Sequence, residues 1–112
     1  MTFEELNVKA GDGLIPENWH NHPNGKGWVQ NTATVAETAF VGPDASVYEY
    51  AQVLDCAEIY GDAEVFGEAK ISGNAEIFGD TWVRGNAEVG GDVEICDGEI
   101  GDNARIFGNK RD

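Results

Sequence analysis

Ile59-Tyr60-Gly61-Asp62-Ala63-Glu64-Val65-Phe66-Gly67-Glu68-Ala69-Lys70-Ile71-Ser72-Gly73-Asn74-Ala75-Glu76-Ile77 states one six-residue phrase three times. An aliphatic residue is followed four positions later by alanine, with a glycine-led dipeptide between them. Outward from this stretch the phase holds, with aliphatics at Val29, Val35, Val41, Val47 and Val53 before it and at Val83, Val89 and Ile95 after it. The small residue follows at Ala33, Ala39, Ala45, Ala51 and Ala57, and again at Thr81, Ala87 and Val93. A fixed six-residue period outranks local propensity and signals a parallel β-helix. Side chains alternate faces along a strand, so the small residue and the aliphatic two positions later both point inward. Val and Ile suit the extended segments, alanine fits the tight corners, and Gly-Asp or Gly-Asn supplies the turns.

One unit is short. Ile95-Cys96-Asp97-Gly98-Glu99 has five residues before Ile100 restores the phase. A one-residue deletion inside a strand reverses its faces, so it must be absorbed at a corner, and Gly98 is the place for it. Residues 1–27 stand outside the repeat and form an N-terminal capping segment; residues 28–112 form the β-helix, about four to five coils long. Phe3–Val8 reads as a short helical turn or an edge strand, broken by Gly11-Asp12-Gly13. A solenoid exposes the open end of its core, and Leu14, Ile15 and Trp19 are the candidates to cover it, with Trp28 where the coils begin.

Composition narrows the function. The net charge of −14 rests on 21 acidic against 7 basic residues. Such a surface repels nucleic acid and anionic membrane, whose binding needs Lys and Arg to displace counterions. No apolar run is long enough to span a bilayer, and Met1–Ala10 lacks the basic start and apolar core of a signal peptide. A cytoplasmic protein without direct nucleic-acid or membrane contact is the expectation. Cys56 and Cys96 lie more than two coils apart, an axial separation of about 10 Å against a limit of roughly 7 Å for a disulfide. Free thiols follow.

Eighteen residues per coil stack the outward positions into ladders. One face carries Ser46, Glu64 and Trp82 beside Tyr48, Phe66 and Arg84; the next carries Phe40, Glu58, Glu76 and Glu94 beside Gly42, Tyr60, Phe78 and Cys96. The third bears Thr34, Gln52, Lys70 and Glu88 and looks the most ordinary. Tyr48–Phe66 and Tyr60–Phe78 read either as cross-strand pairs that stabilise the sheet, or as a seam between copies, or as a surface for a partner or ligand. Arg84 beside Phe66 and Trp82 joins a cation to aromatics, a place for an anionic ligand such as a nucleotide unless Glu64 or Glu88 pairs with it. The stacked acids Glu58, Glu76 and Glu94, with Asp44, Asp62 and Asp80 at the following corner, are open to solvent, to weak calcium binding, or to mimicry of DNA phosphates.

The chain resembles the hexapeptide-repeat proteins over Val29 to Phe107, about seventy per cent of its length. That likeness implies a left-handed β-helix of triangular section, commonly assembled as a homotrimer. The closest likeness is to short phage and prophage members, in which a lead-in like His22-Pro23-Asn24-Gly25-Lys26-Gly27-Trp28-Val29 precedes Gly-Asp/Asn-Ala repeats. The family's acyltransferases use a histidine as general base toward coenzyme A substrates, and its zinc carbonic anhydrases need three histidines around each metal. Here no histidine follows His22, so neither chemistry carries over to the coils. His20 and His22 are the alternative bases of an enzyme reading. No cofactor and no metal are expected, and the leading function is a non-enzymatic, acidic binding scaffold, homotrimeric and phage-like, that captures a small ligand or a host protein. The rival readings are an acyltransferase-like enzyme using coenzyme A and an acidic DNA mimic.

Overall fold

The computed structural model describes residues 2–10 and 13–109; the break at Gly11-Asp12 and the polar tail at 110–112 lie outside them. It is a parallel β-helix of stacked coils with principal extents of 41 × 27 × 21 Å. Helix α1 (Phe3–Ala10) and a single 3-10 turn (Pro16–Asn18) precede the strands. Then come β1 (Trp19–Asn21), β2 (Trp28–Gln30), β3 (Thr34–Val35), β4 (Phe40–Val41), β5 (Ser46–Val47) and β6 (Gln52–Val53). β7 (Glu58–Ile59), β8 (Glu64–Val65), β9 (Lys70–Ile71), β10 (Glu76–Val83), β11 (Glu88–Asp92), β12 (Glu94–Ile100) and β13 (Arg105–Asn109) complete the coils.

Register follows the repeat. Val29, Val47, Val65 and Val83 stack on the first face, and Val41, Ile59, Ile77 and Ile95 on the second. Val35, Val53, Ile71, Val89 and Ile106 stack on the third. β10 runs through a corner and joins the first two stacks into an 8-stranded sheet, leaving a 5-stranded sheet as the third side. The interior is a column of these aliphatics and the corner alanines, fully buried through the middle coils, with Ala33, Val35, Ile95 and Ile106 toward the ends partly buried. The short unit is absorbed where the sequence places it. Phe78 pairs with Cys96 but Thr81 with Gly98, and the 17-residue offset then persists through Val83 with Ile100 and Val89 with Ile106.

Corners demand left-handed backbone. Gly67 has φ +71, and a Cβ there would sit 2.8 Å from the Gly85 nitrogen of the next coil. Glu49 and Asp55 adopt the same conformation, φ 60 and 59, without being glycine. Each spends its carboxylate on the coil beside it. Glu49 accepts from the Gly67 N–H at 2.9 Å and Asp55 from the Gly73 N–H at 3.0 Å. Part of the acidity is therefore structural, since these carboxylates satisfy backbone donors at the corners.

The first coil is closed by backbone rather than by a plug of apolar side chains. β1 pairs antiparallel with β2. The lead-in closes the neighbouring face, with the Gly27 N–H donating to the Val41 carbonyl and the Val41 N–H to that of Asn24. Gly25 and Gly27 permit this approach, because a Cβ on either would lie 2.2 to 2.3 Å from a backbone oxygen of Val41 or Gly42. Of the three residues proposed to cover the end, Ile15 is exposed, and Leu14 and Trp19 pack elsewhere, on the outside of the first face.

Candidate functional site

Two copies of one surface motif stand on adjacent faces, twelve residues apart in sequence. Tyr48 stacks on Phe66 with ring centroids 4.9 Å apart and planes 3° from parallel, and Tyr60 stacks on Phe78 at 5.0 Å and 3°. Stacked rings in adjacent strands contribute about 0.5–1.5 kcal/mol beyond the area they bury. Each tyrosine hydroxyl donates to a glutamate of the next coil, Tyr48 to Glu64 at 2.6 Å and Tyr60 to Glu76 at 3.0 Å. Trp28 and Phe40 occupy matching positions two coils earlier on the ladders of Glu64 and Glu76.

The two copies differ in what lies over them. α1 folds back across the first face. Leu6 is fully buried and forms a second apolar cluster with Trp19 and Tyr48, flanked by Phe3, Leu14, Trp28 and Phe66. Phe3 meets Trp28 edge-on at 5.6 Å, and Trp19 tilts over Tyr48 at 5.8 Å. Glu64 is left only 4% exposed, Ser46 is fully buried, and the Ser46 hydroxyl has no hydrogen-bond partner. On the second face Phe40, Tyr60, Glu76 and Phe78 remain half-buried, with Glu58 and Glu94 exposed, and none of them belongs to that second cluster.

Burial is the first cause that drives the Tyr48 phenol far above its ordinary value, and its hydrogen bond and proximity to Glu64 add to the rise. Tyr60 is pushed up to about 12, by desolvation first and then by Glu76, Glu58 and Glu94. Both phenols are donors held neutral by desolvation first and by the neighbouring carboxylates second. Neither is a base or a nucleophile near neutral pH.

The other sequence candidates separate. Trp82 is 45% exposed at the margin of the first face. Arg84 lies over Gly101 and pairs through Nε with Glu99 at 3.1 Å rather than with Glu64 or Glu88. Glu88 instead faces Arg105 at 3.6 Å, and among the described residues the cation over an aromatic ring is Arg105 on Phe107, 5.8 Å from its centroid. His22 is buried, and its Nε2 lies 2.8 Å from the Ala39 carbonyl, so that nitrogen must carry the proton and donate. His20 Nδ1 contacts the Asn31 side-chain oxygen at 2.7 Å. Each histidine thus has one ring nitrogen committed to a structural hydrogen bond.

Cys56 and Cys96 are free and exposed. Partial desolvation and then the Asp97 carboxylate raise the Cys96 thiol above its ordinary value, the opposite of what a nucleophilic cysteine needs. Among the described residues no three His, Cys, Asp or Glu side chains converge as a metal site, and no helix is long and apolar enough to cross a membrane. The third face, ordinary in sequence, holds a shallow polar cleft of about 320 Å³ between Tyr50, Gln52, Lys70 and Glu88. Only exposed Tyr50, at a corner, could have hinted at it.

The fold and these surfaces define a parallel β-helix with one aromatic ladder sealed by α1 and a second that no apolar cluster of the described residues covers. No family model matches the chain, and no curated protein or solved structure matches it either.

Proposed function

We propose that this chain is a non-enzymatic, acidic binding scaffold of the hexapeptide-repeat type, with the Tyr60–Phe78 ladder as its working surface. The observation that carries this reading is the repeated Tyr-Glu-Phe motif, sealed by the chain's own N-terminal segment on one face and without such a cover among the described residues on the next. Apolar rings rimmed by acids on a stiff, lateral surface suit capture of another macromolecule. A nucleotide at Arg84 has less support, because Glu99 already meets that guanidinium. An acyltransferase has less still, with His22 buried and donating to a carbonyl. The two free thiols suit a reducing, cytoplasmic setting.

A homotrimer built through the same ladder is the second reading, favoured by half-buried rings on a lateral face. Native mass spectrometry of protein purified without stripping reports both the assembly and any retained mass. Phe78→Ala is expected to release whatever is bound, whether a second copy or another molecule. A bound mass indifferent to Phe78→Ala and Tyr60→Ala overturns the assignment of the surface. Acetyl-CoA turnover abolished by His22→Ala overturns the non-enzymatic reading.

A further inference from the structure

The sealed ladder shows how such a surface is occupied. Over Trp28, Tyr48 and Phe66 lies a short helix that presents Phe3 and Leu6, three positions apart on one side of α1. The open ladder offers the same group in the same order, Phe40, Tyr60 and Phe78, with Glu76 in the place of Glu64. The differences are electrostatic. Where the sealed face has Ser46 and Trp82, the open face has Glu58 and Glu94. α1 itself carries Glu4 and Glu5 in its first turn, so a second copy of α1 would bring acids toward acids, in a chain already at −14. Like charges brought together across an interface disfavour it.

We propose that the Phe40–Tyr60–Phe78 face is the docking site for a short amphipathic helix of another protein. That helix presents an aromatic and an aliphatic residue three positions apart and carries Lys or Arg where α1 carries Glu4 and Glu5. The apolar pair seats on the stacked rings, and the cations meet the exposed Glu58, which is the helix-in-groove mode of peptide recognition. The inference rests on the scaffold reading above and adds the class of partner.

The probe is a fluorescein-labelled synthetic peptide of residues 2–19 bearing E4K, E5K and E17K, titrated with the full chain by anisotropy. Saturable binding is expected, about tenfold or more tighter than for the same peptide with its acids retained, and weakening as salt rises. Phe78→Ala should weaken it by about tenfold or more. Glu58→Lys, at an exposed position that leaves the core alone, should weaken it too and flatten the salt dependence. Gln52→Ala on the third face should change nothing. Equal affinity for the acidic peptide, or indifference to both Phe78→Ala and Glu58→Lys, overturns the proposal. So does a trimer that ignores the peptide and dissociates on Phe78→Ala, which makes the occupant a second copy and keeps the scaffold reading. A monomer that ignores the peptide but retains another mass likewise removes only the helical partner, whereas one that retains nothing removes both.

Discussion

Leu6→Ala should undock α1 without loosening the coils. α1 has eight residues, too few to hold a helix in water unaided, so docking of its apolar side keeps it folded. Leu6 is fully buried in that contact. Truncating a buried leucine to alanine costs about 2–5 kcal/mol, with the low end where neighbours can relax into the space. The docked segment lies on the outside of the coils, so the low end applies. A loss of about 2 kcal/mol raises the open population of α1 about 30-fold. Hydrogen exchange read by mass spectrometry should therefore show amides of α1, among them the Leu6 N–H bonded to the Thr2 carbonyl, exchanging about 30-fold faster. Amides in the coils, such as the Leu54 N–H bonded to the Ile71 carbonyl, should keep their wild-type rates. The emission of Trp19 and Trp28 should shift red as their cover opens. Uniform acceleration across α1 and the coils would refute the reasoning, since it would make the two apolar clusters one cooperative unit. No acceleration anywhere would mean that Leu6 does not hold α1 in place.

Gly67→Ala places a Cβ 2.8 Å from the Gly85 nitrogen at φ +71; the left-handed backbone alone costs about 1–2 kcal/mol, so a urea midpoint unchanged from wild type would contradict the corner geometry. Ser46→Ala removes a buried hydroxyl that has no partner and should raise stability by about 1 kcal/mol in the same assay. Stability should also fall in alkali. Tyr48 stays protonated in the fold far above the value near 10 at which an unfolded tyrosine ionises, so its contribution is complete below pH ~10 and declines by about 1.4 kcal/mol per pH unit above it. Tyr48→Phe should flatten that decline, and an equal slope in the variant would discard the Tyr48–Glu64 account. Tyr60, pushed up to about 12, should give its phenolate absorbance near that pH in the difference between wild type and Tyr60→Phe.

The coils were legible because every constraint in them is local and periodic. The stacking of Glu58, Glu76 and Glu94, and the absorption of the short unit at Gly98, follow from counting along the chain. The corner role of Glu49 and Asp55 was available from the same count, since they share the phase of Gly61 and Gly67. What could not be read is the cover on the first face. Phe3-Glu4-Glu5-Leu6 is compatible with a helical turn or an edge strand, and only the folded coils supply the Trp28–Tyr48–Phe66 surface that decides between them. For the same reason Glu64 and Tyr48, outward by register, gave no sign of being buried. The Arg84–Glu99 pair depends on the 17-residue step, which moves Glu99 beside Trp82 where an eighteen-residue count places Ile100.

That step also marks where the chain can be lengthened. Gly98 stands at φ +136 with open space where a Cβ would project, unlike Gly61, Gly67 and Gly73, whose neighbours in the next coil press against them. A peptide tag or a grafted loop inserted there leaves the β-helix at an outside corner, and the strands on either side keep their inward and outward assignments. The coil that is missing a residue is thus the place where foreign sequence can be spliced into this rod while its lateral faces stay as they are.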